Sequence, residues 1–446
     1  MHDRVREESS AMTNISDPVW RRITIVFAAI FVSFSFLASF ASERGIYEYF
    51  PLHADYFISG QDFPSERLIR NSIYHYADEG DSSTGGFMRA IDPKIHIAAV
   101  KQIDGSNVER SEYPYISHFG IQYQVAKFFT FRNTEMVEFA HFVARLMGAI
   151  GMASVIILIA DWARRNFSIV HSFGVFAVFI LSPAILEKSF SAYWWTFLNF
   201  LPFVFSLYAY PRIRSNGSAV MFLSVVSLLV CLKSLSGYEY ITAVAISAAV
   251  PVIYYESKAN SGMLPYRSYR FWSSILFIAM AAVVGFAIAG MLHIALAASY
   301  FGSFDKGMKA LILPMTYSTT GAGTDIRSSS TISLISISLA WIKTLALRNA
   351  IINVAVFVPI LAYLIFQIRD RISNRIDKFY LLDDANTTAL VWMCLFAFTA
   401  SVSWQMLALK HTVAHSHVNW ITMYITLIPL AVVLSIQLFV QRRSIR

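Results

Sequence analysis

The sequence predicts an all-α polytopic membrane protein, with about ten transmembrane helices and a large non-cytoplasmic loop domain after the first helix. Three observations predict it. Of 446 residues, 56% are hydrophobic and 14% charged, against roughly 45–50% and about 25% in soluble globular chains. Apolar runs of about 20 residues recur along the chain, the length a helix needs to cross a bilayer core. A long polar stretch, Ser42 to Asn133, interrupts that pattern early and has no counterpart of its size later.

Taken in order, residues 1–22 form a cytoplasmic N-terminus and 23–41 a first helix. Its Arg21-Arg22 start and Ser39-Phe40-Ala41 end imitate a signal peptide. The apolar run is longer than the usual h-region of about 7–15 residues, so an uncleaved helix is expected. Residues 42–133 are the outer loop, 134–299 carry helices two to seven, 300–348 form a flexible outer loop, and 349–446 hold helices eight to ten with a tail. The spans are drawn at Ile23–Ala41, Glu138–Ala160, Val170–Leu186, Tyr193–Tyr210, Ala219–Leu235, Tyr240–Tyr255, Phe271–Ser299, Asn349–Ile368, Ala389–Leu409 and Asn419–Val440.

Orientation follows from the basic residues. Arg164-Arg165, Arg212 with Arg214, Lys258 with Arg267 and Arg270, and Arg369 to Lys378 alternate with short loops that carry at most a lone Lys. The positive-inside rule puts these clusters and both termini in the cytoplasm, as in a multi-pass protein of a bacterial inner membrane. The formal net charge of +8 is therefore a membrane-topology signal and implies no nucleic-acid partner. Cys231 and Cys394 fall inside apolar spans, which points neither to a disulfide framework nor to a cysteine metal site. The cytoplasmic links contain no P-loop or Gly-rich nucleotide fingerprint.

Chemistry is thus expected on the outer face. The 42–133 segment is rich in Tyr, Phe and Ile, so it can bury apolar surface and fold. Ser65 is placed to cap a surface helix whose Ile69, Ile73 and Tyr76 share one face. Its carboxylates Glu43, Asp55, Asp78 and Glu79 are the candidates for a general base. In the later loop, Ser318 to Asp325 is too polar and small to pack, and reads as a mobile lid or as disorder.

Three further groups supply binding candidates. Glu138, His141 and Arg145 recur at helical spacing and form one polar stripe entering the membrane, where Arg145 offers a planar fork for phosphate oxygens. Lys233 lies one turn below Ser236-Gly237-Tyr238-Glu239-Tyr240, which brings Lys233 and Glu239 to one turn, as a structural pair or as substrate ligands. His411, His415 and His417 crowd the last outer turn beside Asn419 and Trp420. No carboxylate or Cys completes a zinc set there, so no metal ligands are assigned; the reading is hydrogen bonding to phosphate or sugar, with a divalent metal left open as a cofactor.

The layout resembles the GT-C class of glycosyltransferases, which includes protein mannosyltransferases and lipid A aminoarabinose transferases. Glu112-Tyr113-Pro114-Tyr115-Ile116-Ser117-His118-Phe119-Gly120-Ile121-Gln122 looks like the aromatic-Pro-x-x-Ser/His stretch before the second span of such enzymes, and it adds His118 to the binding candidates. The resemblance implies a catalytic Asp or Glu in the first outer loop; Glu43 takes the position just past the first helix and Asp78-Glu79 takes the acidic pair. It implies a polyprenyl-phosphate-sugar donor, a lipid, glycan or protein acceptor, and membrane lipids as partners. An O-antigen ligase or polymerase and a lipid-linked substrate flippase are the alternatives. A flippase predicts broken helices and two-half symmetry.

Overall fold

The computed structural model describes residues 17–44, 63–80, 87–89, 103, 114–116, 119–215, 218–320, 384–408 and 419–444. The chain begins with α1 (Asp17–Arg44), followed by α2 (Phe63–Glu79). A short antiparallel pair, β1 (Met88–Arg89) with β2 (Pro114–Tyr115), sets Met88 opposite Tyr115. Next come α3 (Ile121–Phe128) and α4 (Val137–Asn166), the latter entered through a 3-10 turn at Thr134–Met136. The middle of the chain gives α5 (Ile169–Ile180), α6 (Pro183–Ser189), α7 (Leu201–Ser215), α8 (Ala219–Ser236), α9 (Ile241–Ser247) and α10 (Val250–Ala259). The last elements are α11 (Tyr269–Phe301), α12 (Phe304–Thr320), α13 (Ala385–Leu407), α14 (Ile421–Ile425) and α15 (Leu427–Ser444).

The class is that of an all-α membrane protein, and several of the expected spans are interrupted within the described residues. Among the described residues 5 helices are long and apolar enough to cross a bilayer, or 6 if one bent pair counts as a span. The expected span Val170–Leu186 is that pair: α5 and α6 meet at 74°. Tyr193–Tyr210 starts with a 3-10 turn and continues as the 15-residue α7. Tyr240–Tyr255 divides into α9 and α10, and Asn419–Val440 into α14 and α15. Each break precedes a proline, at Pro183, Pro202, Pro251 and Pro429. Proline lacks an N–H and its ring clashes with the carbonyl four residues back, so α9 ends at Ser247 and α14 at Ile425. Asn349–Ile368 lies outside the described residues.

Two further expectations change. Ser65 lies inside α2 rather than at its cap, and the supposed loop after residue 300 opens with the helix α12, which reaches Thr320. Residues 321–383 lie outside the described residues.

The main core joins α1, α4, α5, α7 and α13 to α15, with Phe31, Ile156, Phe179, Phe203, Met393 and Leu430 each fully buried. Phe27 of α1 stacks on Phe176 of α5 at a centroid distance of 4.0 Å, which ties the first helix into the bundle. A second cluster docks Leu68, Ile69 and Ile73 of α2 on Val137, Ala140 and Ala144 of α4. By contrast Leu276, Met280, Val283 and Met291 of α11 stay exposed, the apolar face a bilayer would cover.

Polar side chains collect at both ends of the bundle. At one end Arg164 and Arg165 bind Asp161 at 3.0 and 2.7 Å, and Arg214 binds Glu256 at 2.9 Å. Arg164 also lies over the Trp20 ring, and Gln441 donates to Thr387 at 2.8 Å, so the start of α1 and the end of α15 share this basic end. Glu138, His141 and Arg145 lie at the opposite end of α4.

Close packing of α8 on α11 depends on Gly285, where an added Cβ would overlap the Ser227 carbonyl of α8. The nearest atom to a Cβ on Gly290 is the Leu311 side chain at 3.4 Å. Gly285→Ala is therefore expected to destabilise the protein by about 1–3 kcal/mol through overpacking. Gly290→Ala should be neutral or slightly stabilising. Thermal unfolding of the two variants in one detergent checks this; equal midpoints would count against the packing.

Candidate functional site

The site grows from α2. On this helix Glu66 lies three residues before Ile69 and seven before Ile73, so the carboxylate shares the buried apolar face. When that face docks on α4, Glu66 meets His141, whose Nε2 lies 3.0 Å from Oε2. One turn along, Arg70 donates through Nε to Glu138 Oε1 at 2.7 Å. Rising numbers on α2 meet falling numbers on α4, so the helices run antiparallel.

The rest of the Glu66 carboxylate is satisfied by the turn after α6. Ser191 donates its hydroxyl to Oε1, and the backbone amides of Ala192 and Tyr193 donate at 3.3 and 3.2 Å. Gly148 lets this turn sit close on α4, since a Cβ there would lie 2.8 Å from the Ser189 carbonyl. Trp195 fixes it by donating Nε1 to Ala144 O at 2.9 Å from a left-handed backbone with φ 36°. Arg145 holds the same turn: Nε donates to Phe190 O at 3.2 Å, the other arm donates to Ser39 of α1, and the guanidinium lies over the Phe190 ring. Burial alone would push the Glu66 carboxyl up. The hydrogen bond and charge of His141, then the charge of Arg145 and the Ser191 hydroxyl, outweigh that and hold it at about 2.

A second turn lies beside the first. Gln122 of α3 is fully buried and its amide donates to Tyr193 O at 2.7 Å and to Ser236 O at 3.2 Å, bridging the turn after α6 to the end of α8. There Lys233 is 4% exposed and donates to Gly237 O at 2.6 Å. Tyr238 stacks on His293 of α11 and its hydroxyl lies 3.0 Å from Nδ1. Tyr240 adopts a left-handed backbone with φ 63°, its ring stacked near Trp194 and edge-on to Trp404. Tyr193 and Tyr115 face each other at 3.2 Å between their hydroxyls.

The structure therefore brings His141, Arg145, Lys233 and Glu239 to one end of the bundle. It assigns Glu138 to an exposed pair with Arg70, away from Arg145. Asp78 is exposed, about 18 Å further along α2 than Glu66 at 1.5 Å per residue, and joins no site residue. Glu43 and Glu79 end their helices with side chains outside the described residues, and Asp55, His118, His411, His415 and His417 lie wholly outside them. Among the described residues no group of three or more His, Cys, Asp or Glu side chains is placed to hold a metal ion. Glu66, Ser191 and Gln122 are the residues that inspection of loop charges passes over. For Glu66 a signal exists: it is the carboxylate aligned with the apolar stripe of an amphipathic helix. No protein-family model, curated protein or solved structure matches the chain.

A carboxyl whose folded pKa lies below its ordinary 4.5 stabilises docking fully above that pH and loses the contribution as pH falls through about 2. Protection of α2 from hydrogen exchange is accordingly expected to be flat above pH 4.5 and to decline below it. Glu66→Gln should lower protection at neutral pH and flatten the decline. An unchanged profile in the variant would remove Glu66 as the docking group.

Proposed function

We propose that the protein is a membrane glycosyltransferase that moves a sugar from a polyprenyl-phosphate-linked donor to a lipid, glycan or protein acceptor. In this reading the chain crosses a bacterial inner membrane about ten times with both termini cytoplasmic, and the reaction occurs at the outer end. The observation that carries it is the Glu66–His141 pair: a folded loop helix brings a buried anion to a histidine at the end of a span. Ionisable groups in such places are functional by default.

The pair divides the work in a definite way. Four donors already occupy the Glu66 carboxylate, which has about four lone-pair sites, and a carboxyl held near 2 is a weak base. Glu66 is a positioning residue: by accepting from Nε2–H it fixes that tautomer and leaves Nδ1 as the acceptor of the ring. His141 then takes the proton of the acceptor hydroxyl as its oxygen bonds to the anomeric carbon, and the bond from that carbon to the phosphate oxygen breaks. Lys233, rather than Arg145, whose arms already bind Phe190 O and Ser39, is the cation assigned to the departing phosphate.

A second reading has its own support. The 74° bend between α5 and α6 is a broken span of the kind transporters use, which favours a flippase for the same class of lipid. One experiment separates the two. Proteoliposomes are loaded with radiolabelled polyprenyl-phosphate-sugar, and both transfer to acceptor and movement between leaflets are followed. Transfer is expected, with His141→Phe lowering turnover by about 10²–10⁴ and Asp78→Asn leaving it at the wild-type rate. Leaflet exchange without transfer would replace the enzyme by the flippase; turnover that survives His141→Phe but not Asp78→Asn would return the base to the exposed acid.

A further inference from the structure

The basic end of the bundle brings the end of α7 beside the start of α11. Glu256 of α10 is 6% exposed and accepts from the Tyr210 hydroxyl at 3.0 Å and from Arg214 Nε at 2.9 Å. Arg270 Nε lies 4.0 Å from the same carboxylate oxygen, and its Nη2 donates to the Arg214 carbonyl at 2.9 Å. One buried anion and one carbonyl therefore hold two guanidiniums side by side, where like charges alone would separate them.

That carboxylate does not neutralise the cluster. Among the described residues no other carboxylate bonds Arg214 or Arg270. Arg267, three residues before Arg270, bonds none there and lies over the Tyr266 ring, 5.4 Å from its centroid. Arg214, Arg267 and Arg270 thus carry three positive charges against the single negative charge of Glu256. The side chains of Arg214 and Arg270 remain 37% and 55% exposed. Each guanidinium has five N–H groups in a planar fork, of which Arg214 uses one on Glu256 and Arg270 one on the carbonyl. The others suit the oxygens of a phosphate.

The surroundings select the source of that phosphate. At 1.5 Å per residue the 33-residue α11 is about 50 Å long, against a hydrocarbon core of about 30 Å, so its first turns stand in the head-group layer. Tyr269, Trp272, Leu276, Met280 and Val283 recur at helical spacing and form one exposed stripe that runs from the arginines down α11. Tyr and Trp at its top belong at a membrane–water interface, and the aliphatic residues below them are those a bilayer covers. The turn before α11 is fixed: Trp272 donates Nε1 to Tyr266 O at 2.6 Å, and a Cβ on Gly262 would lie 2.8 Å from the Thr388 side chain of α13. A free phosphate would use the arginines alone. A phospholipid uses both features, with its head on the arginines and its chains along the stripe. A zwitterionic head would bring a cation to a site whose one carboxylate is already bonded.

We infer that Arg214, Arg267 and Arg270 form a binding site for the head group of an anionic phospholipid, whose acyl chains lie on the exposed stripe of α11. The site is at the end of the bundle opposite Glu66 and His141 and does not rest on the glycosyltransferase reading.

Photolabelling of the full chain in phosphatidylcholine nanodiscs tests it. Phosphatidylglycerol and phosphatidylcholine probes, each with a diazirine in the acyl chain, are added in equal trace amounts and the labelled peptides are mapped. The anionic probe is expected to label residues 269–284 about tenfold more than the zwitterionic one, the effect of one or two unpaired arginines at a lipid surface. Arg267→Gln, which removes no bond to an acid, and Arg270→Lys, which keeps a charge beside Glu256 but loses the fork, should each reduce that excess severalfold and leave labelling of α1 unchanged. Arg165→Gln, at the same basic end but outside the cluster, should leave the excess intact. Glycerol phosphate in solution should not displace the lipid probe; displacement at equal concentration would make this a site for free phosphate and overturn the lipid assignment. Equal labelling by the two probes, or an excess untouched by both Arg267→Gln and Arg270→Lys, overturns the inference. So does an excess that Arg165→Gln reduces as strongly, since that would be a general attraction of basic residues and not a site.

Discussion

A carboxylate on the apolar face of a helix can be buried only where the opposing surface supplies donors. Glu66 imposes that demand on everything around it. Without partners, an isolated buried charge costs several kcal/mol, more than the docking of a short amphipathic helix returns. The fold answers with His141, the Ser191 hydroxyl and two successive amides. Those amides point inward only because the turn after α6 lies tight against α4 at Gly148 and is held by Arg145 and Trp195. The bend between α5 and α6, costly within a hydrocarbon layer, is what delivers the turn to this place.

The same logic separates what is legible in the sequence from what is not. Hydropathy identifies the long helices because a stretch of apolar residues has one stable arrangement in a bilayer. It fails at Tyr193–Tyr210 and Tyr240–Tyr255 because it averages over Pro202 and Pro251, where the backbone cannot continue. The helical stripe of Glu138, His141 and Arg145 is legible from spacing, but spacing does not say who the partners are. Glu138 turns outward to Arg70, while His141 bonds an acid 75 residues earlier, whose charge Arg145 also supports. Exposed acids such as Asp78 attract attention because a run of charge stands out. The acid that matters to the site is hidden among Leu68, Ile69 and Ile73, where its isolation is the signal.

Placement of the cations follows from competition for donors. From sequence Arg145 is the natural phosphate ligand, since its fork matches phosphate oxygens. In the folded chain its arms go to the Phe190 carbonyl and to Ser39, its face to the Phe190 ring, and its charge supports Glu66. Removing it from those roles for a ligand would undo the docking of α2. Lys233, also buried, donates to the Gly237 carbonyl within its own turn and lies in the field of the Glu239 carboxylate.

Gln122 links these two halves mechanically. Its amide nitrogen reaches the carbonyls of Tyr193 and Ser236 at once, so the anion-holding turn and the lysine turn cannot drift apart without breaking a buried bond. The left-handed backbones of Trp195 and Tyr240 flank that bridge, and such conformations persist only where packing over-determines them. Strain on both sides of one buried amide argues that the spacing of the two turns, rather than either turn alone, is what this end of the bundle holds. The proposed reaction, with His141 as proton acceptor and Lys233 as charge partner, would depend on that spacing.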